Sequence, residues 1–422
     1  MARARSRLPA VPKANLKGTP MAPLPWLCPL DPPYNAVGNS VYGVGGGADD
    51  TAAIMACVAD CIANKKKMYL PGGHVFRITQ DIARTATVAG YQRGLSIFGD
   101  GMLDGGIVAD YNGDSVKGAV LRYDTSVIGG YTVESELSNF NISKAAGRTG
   151  LNGIQLTAAW LVSIDRVKVD GLSGRGLIAS LRTDIDPTVS DSYQDFSVRL
   201  SQIWVGSCTG WGIDFGAGQS PGLYELKWSV ISGNAGGGIR STTGQCEIGE
   251  NLIVANGSYG GEGGLLFDTA EGASMVAHVY GNEFDTNFSY HINLIRSRDL
   301  LLERNRFLSQ TFDSNTGSVF TVGTPFMRPL VHVNLQSDVW NLTAQKNYHR
   351  SVNGHQGTPP VPTTADCYAY DASVGAVIPD FPCRFTSNDF GFQPFDGLAQ
   401  NSTGLRKYIG FGAGTGAVII DP

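Results

Sequence analysis

A short phrase returns through the middle of the chain, and no other feature restricts the fold as strongly. A small residue is followed by an aliphatic one and then by alternation. The phrase reads Gly153-Ile154-Gln155-Leu156, Gly176-Leu177-Ile178-Ala179, Gly212-Ile213-Asp214-Phe215, Gly238-Ile239-Arg240-Ser241, Gly264-Leu265-Leu266-Phe267 and His291-Ile292-Asn293-Leu294. The intervals are 23, 36, 26, 26 and 27 residues. A period of this size describes stacked units, each burying its apolar face only against its neighbours. Alternation within each phrase makes it a strand, with every second side chain pointing outward.

The rest of the chain suits a sheet-rich stack. Only 16% of its 422 residues are charged, while 55 are glycine, which fits frequent tight turns. Between Pro71 and Pro325 only Pro187 and Pro221 interrupt, as strands hydrogen-bonded on both edges require. The net charge of −5 gives no global case for nucleic-acid binding. Seven scattered cysteines make no disulfide framework, and Cys57 and Cys61 read as small apolar helix residues. A Cys367–Cys383 pair is left open. No secretory signal and no membrane-spanning window is visible, so synthesis in a cytoplasm is expected.

A second column of alternating phrases runs beside the first: Val167–Asp170, Ile203–Gly206, Ser229–Ser232, Leu252–Ala255 and Ala277–Tyr280. Two strands per coil are therefore expected. Asn141, Asn234, Asn256, Asn282 and Asn305 fall near the corners, where asparagine tolerates left-handed backbone and can stack as a hydrogen-bonded ladder. The long interval holds a polar stretch with Asp184, Asp186, Asp191 and Asp195, expected to loop out of one coil.

Ahead of the stack, Asp49-Asp50-Thr51-Ala52-Ala53-Ile54 opens a helix running to about Asn64. Either aspartate can cap it, and Ile54, Val58, Cys61 and Ile62 share one face. Strands at Met68–Leu70 and Val75–Ile78 flank Pro71-Gly72-Gly73, and Leu95-Ser96-Ile97-Phe98-Gly99-Asp100-Gly101 follows. This opening resembles that of pectate-lyase-like proteins of the bacteriophage tailspike and polysaccharide depolymerase kind. It departs from their pattern at Gly43-Val44-Gly45-Gly46-Gly47, where an acidic Gly-Asp-Gly is usual.

The resemblance implies an all-β, right-handed, single-stranded parallel β-helix with an N-terminal capping helix, assembled as a homotrimer. Residues 1–40, with eight prolines and Arg3, Arg5, Arg7, Lys13 and Lys17, would be an extended basic arm that attaches to phage tail or portal-adaptor proteins. Trp26, Leu27 and Leu30 would anchor it to the partner. Residues 41–350 would form the β-helix, and 351–422 a C-terminal β-rich capping or trimerisation region. The implied setting is the virion tail. The implied function is to bind bacterial surface polysaccharide, O-antigen or capsule, and cleave it by glycoside hydrolysis. A non-enzymatic receptor-binding fibre and a polysaccharide lyase of the same fold remain alternatives.

Outward residues one coil apart can act on a single sugar. Aligning the phrases on their glycines puts Gln155, Ile178, Asp214, Arg240, Leu266 and Asn293 in one outward column. The next holds Thr157, Ser180, Gly216, Thr242, Asp268 and Ile295. Asp214 and Asp268 would then flank Arg240 with carboxylates roughly 10–12 Å apart, at or beyond the span of an inverting glycosidase pair. A plain surface ion pair explains the same residues. On the neighbouring face Glu225 and Glu247 fall on adjacent coils with Arg199 on the coil before, a spacing suited to a retaining pair or to one shared proton and a raised pKa. Trp204, Trp211 and Trp228 could offer sugar platforms or pack in the core. Glu283 and Asp285 form a weaker third pair. The six histidines show no metal-ligand spacing, so neither a catalytic metal nor a cofactor is expected, although the aspartates of the long loop with Arg199 could imitate a calcium-dependent lyase.

Overall fold

The computed structural model describes residues 25–113, 118–180, 196–215, 223–241, 245–258, 261–268, 276–310 and 331–352, with the short segments 312–313, 318–319, 366–370, 383–388 and 418–421. The described body is a parallel β-helix. One sheet has ten strands, and a second of 22 strands continues around the coil. The glycine phrases make the ten-stranded sheet. Ile154 pairs with Leu177, Leu177 with Ile213, and the ladder continues through Ile239, Leu265, Ile292 and Val333. These aliphatics are fully buried and form part of one continuous core.

Each coil carries three strands rather than the expected two. Between the phrase and the second column lies a row comprising Phe196–Ser201, Leu223–Lys227, Gln245–Gly249, Val276–Tyr280 and Leu300–Glu303. Ala277–Tyr280 belongs to this middle row. The second column continues from Leu252–Val254 to Glu283–Asp285 instead. Alternation marks a strand but says nothing about which row it joins, which is why these phrases looked equivalent.

The corners are built differently from expectation. Between middle and third rows a residue with left-handed backbone recurs: Asn139, Arg166, Gln202, Trp228, Glu250, Gly281, Arg304 and Lys346. After Glu250, Gly281, Arg304 and Lys346 an asparagine follows that is not itself left-handed. Asn282 is buried, and its Oδ1 accepts from the backbone and side-chain amides of Asn251 at 3.0 and 2.9 Å. Its own Nδ2 donates to Ile248 O at 2.9 Å and to Asn305 Oδ1 at 3.0 Å. The ladder runs Asn251, Asn282, Asn305, Asn347 and Asn388, with Ser229 donating its backbone amide to Asn251 at the head. A second ladder, Asn234, Asn256 and Asn287, lines the corner after the third row. Asn141 is in neither. Asparagine thus supplies buried donors and acceptors where strand pairing stops, and its exposed neighbour takes up the awkward backbone.

The second ladder explains the repeated glycine. A Cβ at Gly212 would lie 2.7 Å from Asn234 Nδ2 and 2.8 Å from Gly238 O. At Gly238 it would meet Gly264 O at 2.4 Å and Asn256 Nδ2 at 3.1 Å. At Gly264 it would meet His291 O at 2.6 Å and Asn287 Nδ2 at 3.0 Å. None of these glycines has positive φ. Space, not backbone freedom, selects them.

At the N-terminal end the helix Thr51–Ala63 buries Ile54, Cys57, Val58 and Cys61, and both cysteines are free thiols. The two aspartates divide their tasks. Asp49 Oδ1 accepts from Thr51 N at 3.0 Å, while the buried Asp50 turns away to bind the amides of Val37 and Gly38 at 2.6 and 3.1 Å. Of the expected arm, residues 25–40 belong to the body. Trp26–Leu27 pairs with Lys67 and Met68, and Leu27 and Leu30 pack on the chain's own core instead of reserving themselves for a partner. Residues 1–24, the aspartate-rich loop, and the Cys367 and Cys383 side chains lie outside the described residues. Among the described residues no helix is long and apolar enough to cross a membrane.

Two substitutions separate these roles. Gly238→Ala should cost about 1–3 kcal/mol through overpacking, and Asn282→Ala at least as much by stranding buried amides. Glu250→Gly, at an exposed left-handed position, should instead gain up to about 1 kcal/mol. Urea unfolding midpoints of the three variants check all of this.

Candidate functional site

Two outward faces carry charged side chains. On the ten-stranded sheet the column Gln155, Ile178, Asp214, Arg240, Leu266 and Asn293 is in register as aligned, but it is not the open surface expected: all of its members except Arg240 are buried. The adjoining column departs from expectation at its last member. A bulge after Phe267 leaves Ile295 unpaired and sets Asp268 opposite Arg296. Arg296 Nε and NH2 both reach Asp268 Oδ1 at 2.7 Å. Asp214 is almost fully buried, held by Arg175 Nε at 3.2 Å and Arg240 NH1 at 3.9 Å.

The structure adds Glu262 to this face. It lies in the turn before Leu265–Asp268, half-buried, with the Tyr290 hydroxyl donating to its Oε2. Burial raises its carboxyl above the ordinary glutamate range; Arg240 opposes that shift and Asp268 adds to it. A guanidinium and a second carboxylate therefore act on Glu262 from neighbouring strands. One signal in the sequence could have revealed it. Two residues before the phrase three coils carry Gly174, Gly210 and Gly236, the first and last carry Leu151 and Ser289, and Glu262 alone puts an acid in that column.

On the neighbouring face Arg199, Glu225, Glu247 and His278 are successive partners along the middle row. Glu225 meets Arg199 Nε at 3.7 Å, and Glu247 meets Lys227 Nζ at 3.0 Å and accepts from Tyr280 Oη at 3.0 Å. Burial works against ionising Glu247, but Lys227, Tyr280 and His278 outweigh it and hold the carboxyl below its usual range. Glu247 thus shifts opposite to the direction expected of a shared proton, and each of the two carboxylates has its own cation. Asp285 is raised by burial and by Glu283, which is itself paired with Arg306 at 2.6 Å.

The tryptophans separate. Trp211 is buried with its ring against Gly237, where a Cβ would sit 2.3 Å from Cζ3. Trp204 is partly exposed beneath Lys168, whose Nζ stands 5.1 Å from the ring centroid. Trp228 is 60% exposed, the most open of the three, and so the one with a face available to a ligand. Among the described residues no group of three or more histidine, cysteine, aspartate or glutamate side chains converges as a metal site.

The raised Glu262 carboxyl has a measurable sign. A carboxyl whose pKa is raised on folding opposes the folded state once pH exceeds its unfolded value, and more so up to the folded one. Glu262→Gln keeps an acceptor for Tyr290 and removes the charge. It should therefore stabilise the fold at neutral pH, with the gain vanishing below about pH 4; unfolding midpoints across that range check it.

No known protein family profile matches the sequence, and no curated protein does. Solved structures do. DFA-IIIase from Arthrobacter chlorophenolicus A6, in a form without its lid, superposes with a TM-score of 0.53 at 13% identity, covering 94% of this chain and 98% of that one. The Dettilon tailspike protein gives 0.48 at 17% identity, covering 84% and 68%. The A-module of an Azotobacter vinelandii mannuronan C-5 epimerase gives 0.45 at 14%, covering 88% and 98%. The likeness to the first of these establishes a shared parallel β-helix fold.

Proposed function

We propose that this protein binds a bacterial surface polysaccharide along the outer face of its ten-stranded sheet and cleaves it by glycoside hydrolysis. The observation that carries the reading is the asymmetry between two nearby carboxyls. Glu262 is biased towards its protonated form, while Asp268 is fixed in an ion pair with Arg296. Glycoside hydrolysis needs such a division of labour between an acid for the leaving oxygen and a carboxylate for water or the sugar. Glu262 is the proposed acid and Asp268 the base. Arg240, between them and the buried Asp214, would hold substrate hydroxyls. Glu225 and Glu247, each neutralised by its own cation, are assigned to structure and not to chemistry. The name of the mannuronan epimerase and that of the tailspike accord with a saccharide ligand and a virion setting. Trimeric assembly, tail attachment through residues 1–24 and the identity of the glycan belong to the same proposal.

Incubation with candidate O-antigen or capsule should release new reducing ends. Glu262→Gln and Asp268→Asn should each lower the rate at least about 100-fold, and Glu225→Gln should leave it within a few-fold. An unsaturated, ultraviolet-absorbing product would mean a lyase, binding without new ends would mean a fibre, and loss of activity in Glu225→Gln alone would move the site to the other face.

A further inference from the structure

The glycine column ends in histidine. His291 takes the place next along from Gly264, and His332 pairs at the same level one coil later. With His349 of the third row they form a cluster of imidazoles in the core, all fully buried. The His332 and His349 rings are parallel within 9° with centroids 5.2 Å apart, and His291 lies 5.1 Å from His332. Phe284 and Phe307 pack around them.

Hydrogen bonds fix the rings as neutral. His291 Nε2 faces the carbonyl of Leu308 at 2.8 Å, which can only accept, so that nitrogen carries the proton. Its Nδ1 must then accept from Asn287 Nδ2 at 3.1 Å, the last rung of the second asparagine ladder. His332 and His349 meet Nδ1 to Nδ1 at 3.0 Å, an arrangement with room for one proton. His332 Nε2 is buried with no acceptor to receive another. Among the described residues, groups facing the rings include Asn287, the two phenylalanines and the Leu308 carbonyl. Among the described residues the titratable groups that act on them are one another, and burial drives all three below the ordinary histidine range, His332 to about 3.

We propose that the His291, His332 and His349 cluster is an acid latch: taking up protons sets donor against donor at each of these contacts and releases the coils between Glu283 and Val352, while the earlier coils stay folded. A stack of nearest-neighbour units permits such local opening. The sign follows from linkage. Groups with depressed folded pKa values contribute stability that is complete above the unfolded value, near 6.5, and is lost as pH falls below it. Three rings that must charge on opening lower the closed-to-open ratio by about a thousandfold per pH unit in that range.

Hydrogen exchange of the full chain, read by mass spectrometry at neutral pH and at about pH 5, tests the latch. After correction for intrinsic exchange, peptides from 283–310 and 331–352 should lose protection at least about tenfold more than peptides from 119–170, reversibly on neutralisation. Equal loss, or none, overturns it. A His332→Phe/His349→Phe variant keeps the ring stack and leaves only His291 to charge, so its loss of protection in acid should fall to about tenfold per pH unit; loss like that of the unaltered chain also overturns it. Should that variant not fold, ring NMR signals of the unaltered protein decide. The three rings should not titrate while the amides of these coils stay protected, and ordinary titration in the protected state would refute the latch.

Discussion

Where the third strand row of a coil turns into the first, a buried asparagine side chain presses against the bare Cα of a glycine on the coil before. That contact recurs at Gly212, Gly238 and Gly264. The asparagine satisfies amides and carbonyls that strand pairing cannot reach, and it needs the room that a Cβ would occupy. The glycine phrase, the asparagines a few residues before it and the left-handed Gly233, Ala255 and Thr286 ahead of Asn234, Asn256 and Asn287 are three parts of one corner. Changing one without the others leaves either a clash or an unpaired buried group.

This coupling shows what was legible in the sequence. The stack, the inward aliphatics and the column Gln155, Ile178, Asp214, Arg240, Leu266 and Asn293 could be read because the glycines keep them in step. The middle row escaped because it has no such marker. Leu223–Lys227 and Gln245–Gly249 begin with different residues and alternate like any other strand, and their partners are fixed only by three-dimensional wrapping. The bulge after Phe267 was invisible for a related reason, since one extra residue among alternating ones leaves no trace. Glu262 escaped attention because it lies in a turn, although it replaces glycine in its column.

Charge on the outer faces has two physical states. Where a carboxylate finds its own cation, as Glu247 finds Lys227 and Asp268 finds Arg296, the pair is neutral and the coil is held. Where burial exceeds that compensation, as at Glu262, proton affinity rises. Inside the stack the same rule acts on cations: the histidines that end the glycine column are kept neutral by the core around them. A frame this regular makes departures from regularity informative, and Glu262 and His291 lie within 30 residues of each other along the chain.

The bulge has a geometric consequence beyond the pairing of Asp268. No residue separates Phe267 from Asp268, one separates Leu294 from Arg296, and two separate Leu335 from Asp338, yet these positions remain paired from coil to coil. The chain thus lengthens its circuit one residue at a time at a single place on the wall, while Ile292, Leu294, Val333 and Leu335 keep the lining constant. Extra residues taken up on one side with the lining unchanged bend and twist the strand locally, so the outer face carrying Asp268 and Arg296 is re-aimed from one coil to the next while the core is not.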